Sequence, residues 1–574
     1  MPVHNKEISR LLNETADLLD IKGSNEFRVR AYRNAARSVE SLPRPAAEMV
    51  AEGEDLSKEQ GIGKSLSEKI EEIVETGRLS QLEELKEQLP PGLLTLLDIP
   101  ELGPRRAGQL YNELGVDGLD SLKKAIHEGK LPQLEGFGEK LTESIRKRLE
   151  EAEQEQGEER MLLSEAEEIA EGLVTYLENS SDVERIEVAG SYRRRKERVG
   201  DLDILVIASQ PAELMERFTT YDLVERVLSK GETRSSVLLR GGKQVDLRLL
   251  SPENYGSALI YFTGSKEHNI ALRSLAQQKG YKVSEYGIYE GEIRKAGEEE
   301  EGAYALLGLP WIPPELRENR GEIEAAENGA LPNLLELSEI KGDLHAHTDW
   351  SDGSASLSEM ARAAREHGYE YLAVTDHSPG LTVANGLSEE RLSKQIDRIA
   401  ELNDGFTDFR LLASMEVNIE LDGSLDLSEE LLSQLDLVVC SIHSNMDRDR
   451  DEQTERLIRA MDNRYCTIIG HPTGRRFGAR RGYDLDFPRL IEAARERNVA
   501  FEINAQPERL DLSDSYARQA AEGGVMIAIS TDAHSPRHLA FMRYGVGQAR
   551  RGWLEAKGVL NTLGVEELLA AIKR

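Results

Sequence analysis

The chain of 574 residues is too long for a single hydrophobic core, and its 39% hydrophobic content is enough for several packed domains. No apolar run approaches the ~18–20 residues that cross a bilayer. Residues 1–7 carry no apolar export segment, and two cysteines, Cys440 and Cys466, exclude a disulfide scaffold or a four-cysteine zinc site, so a cytoplasmic protein is expected. The formal net charge of −33 opposes broad nucleic-acid binding, yet the balance is local. Residues 101–150 hold nine basic and nine acidic groups, and residues 451–500 hold ten against eight.

The first 150 residues read as helices, with amphipathic stretches at Ile8–Leu19 and Leu66–Thr76 separated by glycine turns. Three turns share a pattern: Gly61-Ile62-Gly63-Lys64, Leu102-Gly103-Pro104-Arg105 and Gly136-Phe137-Gly138-Glu139, each opening a helical segment. Such a turn lets a phosphate backbone approach the free N–H groups of the following helix. Three of them favour DNA gripping through Gly61, Gly63, Gly103, Gly136 and Gly138. Residues 150–159 form a charged connector, predicted as an exposed helix.

From Val183 the pattern changes to strands, at Val183–Val188, Leu202–Ala208, Ser236–Arg240 and Gln244–Leu250. Asp201 and Asp203 stand two apart where a strand begins, so their side chains share one face. Asp246 supplies a third carboxylate if its strand is adjacent. Three carboxylates on one face repel unless cations lie between them, which suits two magnesium ions and phosphoryl transfer. Ser191 and Arg194, in the Gly190-Ser191-Tyr192-Arg193-Arg194 turn, are placed to hold a triphosphate. The Glu-, Asn-, Gly- and Pro-rich stretch Glu315–Pro332 reads as an interdomain linker.

Beyond it, apolar strands alternate with helices, implying a parallel sheet or barrel. His345 and His347 follow a first strand and precede Asp352; later strands lead to Asp376-His377, Glu416, His443, His471 and Asp532 with His534. Polar groups gathered at successive strand ends mark the active face of an α/β barrel. Imidazole with carboxylate suits zinc, manganese or iron, and a metal-activated hydroxide would attack phosphorus. Arg475, Arg476, Arg480 and Arg481 surround Phe477 just after His471, a pattern able to guide a single strand by charge and stacking.

Two resemblances follow. Gly-Ser-x-Arg-Arg, Gly-Asp-x-Asp, Val-Asp-Leu-Arg-Leu and Tyr261-Phe262-Thr263-Gly264-Ser265 resemble, in order and spacing over residues 1–315, the family X DNA polymerases. That resemblance implies Asp201, Asp203 and Asp246 as carboxylates for Mg2+ or Mn2+. It places Ser191, Arg194 and Gly200 at the incoming triphosphate, Tyr261, Phe262 and Gly264 at its sugar, and Asn269 and Arg273 near the nascent pair. It also puts Lys69 at the Schiff-base position of the family's lyase domain, although Ser65, Phe27 and Arg28 replace the basic neighbours common there.

Gly-Asp-Leu-His-Ala-His-Thr-Asp-Trp-Ser-Asp-Gly, with Thr-Asp-His, Ser-Ile-His-Ser, Gly-His-Pro and Thr-Asp-Ala-His downstream, resembles the polymerase and histidinol phosphatase (PHP) family over residues 336–574. It implies a distorted seven-stranded barrel with His345, His347, Asp352, His377, Glu416, His443, His471, Asp532 and His534 binding up to three Mn2+ or Zn2+ ions.

Together these imply helical helix-hairpin-helix domains (1–85 lyase-like, 86–150 fingers-like), an α+β nucleotidyltransferase palm (151–250), a thumb-like domain (251–315), a linker (316–335) and the PHP barrel (336–574). The expected activity is gap-filling DNA synthesis in base-excision repair combined with 3′-5′ exonuclease or 3′-end phosphoesterase action. The expected partners are gapped or primer-template DNA and deoxynucleoside triphosphates, with no membrane and a monomeric chain. The alternatives are a small-metabolite phosphatase and a non-catalytic DNA-end scaffold.

Overall fold

A computed structural model describes residues 5–573, apart from 41, 43, 45, 60, 91, 100, 101, 135, 139, 140, 143, 144, 147–159 and 180–182. The charged connector at 150–159 therefore lies outside the described residues. The chain divides into two compact units, one of residues 1–158 with 478–480 and the other of residues 159–477 and 481–574.

The first unit is helical, and one core runs through it from Ile8 to Ile145. Residues 1–85 and 86–150, expected as separate domains, share that core. At Gly108 any Cβ would lie 2.6 Å from the Ile21 carbonyl oxygen, so glycine is what lets helix Pro104–Leu114 meet helix Asn5–Ile21. Gly63 and Gly103 cap the helices Lys64–Thr76 and Pro104–Leu114 with no side-chain cap hydrogen bond.

After the short strand Met161–Leu162 and helix Leu163–Glu178, the second unit builds a five-stranded mixed sheet. Its strands are β1 (Val183–Val188), β2 (Leu202–Ala208), β3 (Val224–Lys230), β4 (Arg234–Leu239) and β5 (Lys243–Leu249). The spatial order is β1-β2-β5-β4-β3, with only the β2–β5 pair parallel. Helices Tyr255–Thr263 and Lys266–Gln278 and a three-stranded sheet follow.

The expected linker is not an extended tether. Leu316 and Arg317 are fully buried, Glu322 is 1% exposed, and Glu322–Glu327 is helical. The charges that make this stretch read as solvated are paired inside: Arg317 with Glu300 at 2.7 Å, Glu318 with Arg194 at 3.0 Å and Glu322 with His268 at 2.7 Å. Charge composition alone cannot distinguish a solvated run from a set of buried ion pairs.

Seven parallel strands complete the unit: β6 (Gly342–Ala346), β7 (Tyr371–Val374), β8 (Arg410–Asn418), β9 (Leu437–Ser441), β10 (Ile468–Ile469), β11 (Ala500–Asn504) and β12 (Ile527–Ser530). They pair in sequence order, and a parallel bridge between Ala346 and Ala533 brings the last strand back to the first. The strands are buried on both faces, as their continuous apolar runs require. Leu510 and Tyr544, from the barrel half, lie within the palm core. Among the described residues, no helix is long and apolar enough to cross a membrane.

Candidate metal centres

The palm centre is built by register. Asp203 on β2 pairs directly with Asp246 on β5, and Asp201 lies two residues before Asp203 on the same face. Asp201 is exposed, Asp203 half-buried and Asp246 buried. Burial, reinforced by the charge of Asp201, pushes the Asp203 carboxyl up to about 6. Burial also opposes ionisation of Asp246, but hydrogen bonds from Ser236, Gln244 and Arg234 outweigh it and lower that group. Arg234 Nη2 lies 2.6 Å from Asp246 Oδ2; Arg248 lies 3.5 Å from the same oxygen and 3.7 Å from Asp203 Oδ1. These two arginines were not singled out from the sequence, although Asp246 and Arg248 share a face of β5. Such concentrated negative charge fits hard divalent cations.

Around the carboxylates, Gly190–Arg193 forms a single helical turn at the end of β1, and a Cβ on Gly190 (φ +69°) would come within 3.6 Å of Asp203 Oδ2. Ser191 is half-buried in this turn, and Gly200 follows the short strand Arg198–Val199. Arg194 lies against the Thr263–Gly264 turn: Nη1 donates to the Thr263 carbonyl, and a Cβ on Gly264 (φ +72°) would sit 3.2 Å from it. Tyr261 and Phe262 meet edge to face at 5.0 Å. Arg248 covers Phe262 at 4.3 Å, exposed Arg273 lies 5.5 Å from the Tyr261 ring centre, and Asn269 Nδ2 donates to the Tyr261 carbonyl at 2.7 Å. Arg248, lying over Phe262 and within 3.7 Å of Asp203, links this aromatic pair to the carboxylates. Lys69, half-buried in helix Lys64–Thr76, belongs to the other unit.

The barrel centre is denser. Glu416 is 2% exposed and touches five imidazoles: His345 (3.4 Å), His347 (3.7 Å), His377 (2.9 Å), His443 (3.2 Å) and His471 (3.0 Å). It lies within β8 rather than after its end, so its side chain points into the ring. Asp532 meets His347 at 3.1 Å, and Asp352 meets His534 at 3.3 Å and His377 at 3.5 Å. Three overlapping groups have ligand atoms close enough to share an ion: His347, Asp352, His377 and His534; His345, His347 and Asp532; His377, Glu416 and His443.

The electrostatics fit cations. Despite burial, His345 is raised by Glu502 and Glu416, while His377 is raised to about 10 and His534 to about 9 by neighbouring carboxylates. His347 is lowered to about 4 by burial and by His534 and His377. His345 Nε2, both nitrogens of His347 and His377 Nδ1 face carboxylates without well-formed hydrogen bonds, and His471 Nδ1 is buried with no partner. Buried imidazole nitrogens in that condition are costly unless something binds them. Two members also carry left-handed backbone, His471 (φ +29°) and Asp532 (φ +50°), strain of the kind that collects at functional sites.

A supporting layer, of which only Asp376 stood out in the sequence, holds these groups. Fully buried Glu502 on β11 accepts from His345 Nδ1 at 2.7 Å and from the His471 backbone N–H at 2.6 Å. Asn418 Oδ1 lies 2.5 Å from His443 Nδ1. Asp376 accepts from the backbone N–H and hydroxyl of Thr348, from Ser351 and from Gln395, fixing the loop that carries Asp352.

The expected strand guide is partly committed elsewhere. Arg475 donates to Glu197 and to the carbonyls of Arg509 and Leu510, and Phe477 packs on the palm core. Both are therefore occupied between palm and barrel rather than offered to a nucleic acid. Arg476 is exposed and pairs with Glu508, and Arg480 and Arg481 also engage in interactions.

Family models match along the chain: a helix-hairpin-helix domain at 3–79, a SAM-like helix-hairpin-helix tandem at 93–151, the DNA polymerase beta palm at 160–240 and thumb at 258–318, and the PHP domain at 343–506. The DNA polymerase/3′-5′ exonuclease PolX of Bacillus subtilis (strain 168) is 41% identical over the full length of both chains. DNA polymerase lambda of Arabidopsis thaliana is 26% identical over 55% of this chain and 62% of its own. A probable phosphatase of Thermoanaerobacter sp. (strain X514) is 30% identical over 39% of this chain and 87% of its own. With two such centres in one polypeptide and full-length likeness to a chain that joins them, the protein belongs to the family X DNA polymerases that carry a C-terminal PHP domain.

Proposed function

We propose that this chain extends DNA 3′ ends at the palm and removes 3′-terminal nucleotides at the barrel, filling short gaps in base-excision repair. The observation that supports this reading is the presence of two separate groupings of candidate ligands, Asp203 paired with Asp246 and close to Asp201 on one sheet, and the histidines and carboxylates gathered around Glu416 in the barrel. Divalent cations would be held by each set and would supply Lewis-acid activation of the attacking oxygen and charge stabilisation on the phosphate.

At the palm, the three aspartates hold Mg2+ or Mn2+. Ser191, Arg194 and Gly200 receive the triphosphate, Tyr261, Phe262 and Gly264 wall the sugar, and Asn269 and Arg273 face the nascent pair. At the barrel, His345, His347, Asp352, His377, Glu416, His443, His471, Asp532 and His534 hold up to three Mn2+ or Zn2+ ions. Residues 1–85 and 86–150 grip the DNA backbone through the glycine turns. Lys69 serves lyase chemistry or a phosphate contact. The protein acts as a monomer on gapped or primer-template DNA.

A gapped-primer assay tests the separation. Asp203→Asn should reduce extension by at least ~10³-fold and leave 3′-end removal within about twofold, and His345→Ala should do the reverse, because each set supplies several kcal/mol to its own reaction. Loss of both activities in either variant would refute it. The likeness to a probable phosphatase over 39% of this chain raises a second reading, hydrolysis of a small phosphate ester. A kcat/KM for a small ester above that for a primer 3′ end would favour it.

A further inference from the structure

The barrel half reaches into the palm's nucleotide cradle through one side chain. Helix Met542–Arg551 begins eight residues after His534 and ends on Arg551, whose side chain is 4% exposed. Arg551 Nη1 donates to the Arg194 carbonyl at 2.8 Å and to Glu318 Oε1 at 3.0 Å, and its Nη2 donates to Asp514 Oδ2 at 2.6 Å. The same Glu318 oxygen accepts from Arg194 Nε at 3.0 Å, while Arg194 Nη1 donates to the Thr263 carbonyl. Thr263 ends the helix that bears Tyr261 and Phe262. A continuous set of charge-assisted bonds therefore runs from the barrel, through Glu318, to the Arg194 guanidinium at the Thr263–Gly264 turn.

Charge explains what the link accomplishes. Left alone with Arg194, a buried Glu318 carboxylate would take the arginine's fork with both oxygens and cancel its attraction for phosphate. Arg551 competes for that carboxylate and anchors it from the far side, with Asp514 balancing Arg551 in turn. Arg320 also binds Asp514, at 3.0 Å, and Lys196 lies 3.8 Å from Glu318. Four cations, Arg194, Lys196, Arg320 and Arg551, share Glu318 and Asp514, with Glu197 also acting on Arg551 and Glu267 on Arg194, so no carboxylate of the cluster is left to Arg194 alone.

We propose that Arg551 is a positioning residue for DNA synthesis: acting from the PHP half through Glu318, it fixes Arg194 for the incoming triphosphate. This rests on the reading of Arg194 as a triphosphate contact. The full-length protein is assayed for single-nucleotide gap filling and for 3′-end removal in four variants: Arg551→Gln, Glu318→Gln, their double variant and Arg194→Gln. Arg551→Gln should raise KM for the deoxynucleoside triphosphate about tenfold, the scale of one lost hydrogen bond between charged groups, with kcat and nuclease rate within about twofold. In the Glu318→Gln background the Arg551 change should add less than about twofold, because the path through Glu318 is already broken.

A purely structural role would instead lower the nuclease rate in parallel and add fully to Glu318→Gln, and either result overturns the proposal. If Arg551→Gln does not melt cooperatively, Arg551→Lys, which keeps the charge and loses the fork, carries the test with a KM increase of at least about threefold. An unchanged KM in the folded variant refutes the link. An unchanged KM in Arg194→Gln refutes the reading of Arg194, and the proposal with it; a raised KM there alone refutes only the link.

Discussion

In the palm, three aspartates meet at one edge of a strand pair, one of them exposed, with Arg234 and Arg248 reaching into their field. In the barrel, eight groups close around Glu416, most of them buried, with Glu502 and Asn418 on the outer nitrogens of His345 and His443 and Asp376 on the loop that carries Asp352. The difference matches what each centre must do. A polymerase site receives a triphosphate and a primer end, whose oxygens complete the coordination of hard cations that keep several open positions. A site that cuts one strand end needs its nucleophile ready beforehand, so the protein supplies nearly every ligand itself.

The largest test of this contrast is metal binding without DNA. Titration of metal-stripped protein with Mn2+ should show tight sites that depend on the barrel alone. Glu416→Gln should abolish them and lower 3′-end removal by at least ~10³-fold, since this carboxylate touches five of the imidazoles. Asp203→Asn should leave the same titration unchanged. Equal loss of Mn2+ in both variants would erase the distinction between a prebuilt and a substrate-completed centre.

How the palm is held gives the next test. Glu300, 4% exposed, binds Arg193 and Arg317 with both oxygens and accepts from Trp311 Nε1 at 2.9 Å, tying the thumb to the turn that starts at Gly190. Burial pushes its carboxyl up, but Arg317 and Arg193 prevail and hold it at about 2, below the ordinary 4.5. A lowered carboxyl stabilises the fold fully above its unfolded value, and that contribution fades as pH falls from about 4.5 through about 2. The shift corresponds to about 3 kcal/mol. Glu300→Gln should therefore show its full deficit at neutral pH, narrowing below about pH 4.5, in denaturation followed by tryptophan fluorescence. A deficit independent of pH would mean that the carboxylate's charge is not what holds the thumb.

The sequence exposed most of both centres because their spacing is local. Asp201 and Asp203 are two apart, and each barrel group sits beside a short apolar strand, so periodicity is enough to place them. It could not show Glu300, whose partners are 107 and 17 residues away, or Arg551, which reaches Arg194 across 357. The same blindness made 316–335 look like a tether, because the partners that bury its charges lie in other elements. Strand β11 was also overlooked: Ala500–Asn504 ends in no histidine, and its one acid, Glu502, binds through another residue.

Glu502 supplies the finest test of the barrel as a prebuilt centre. It holds His345 Nδ1, which leaves the opposite nitrogen, Nε2, turned toward Glu416 and Asp532 at 3.4 and 3.8 Å. It also fixes the backbone of His471, a residue with a left-handed φ. A carboxylate in this position sets the tautomer and increases the basicity of the nitrogen that faces the metal. Glu502→Gln keeps the shape and one of the two acceptor oxygens, but it removes the charge and turns an NH2 toward the other donor. Mn2+ affinity should fall about 10- to 100-fold with gap filling unchanged, and 3′-end removal should recover when Mn2+ is raised by the same factor. If activity stays low at saturating Mn2+, Glu502 acts on the reaction itself rather than on ligand orientation.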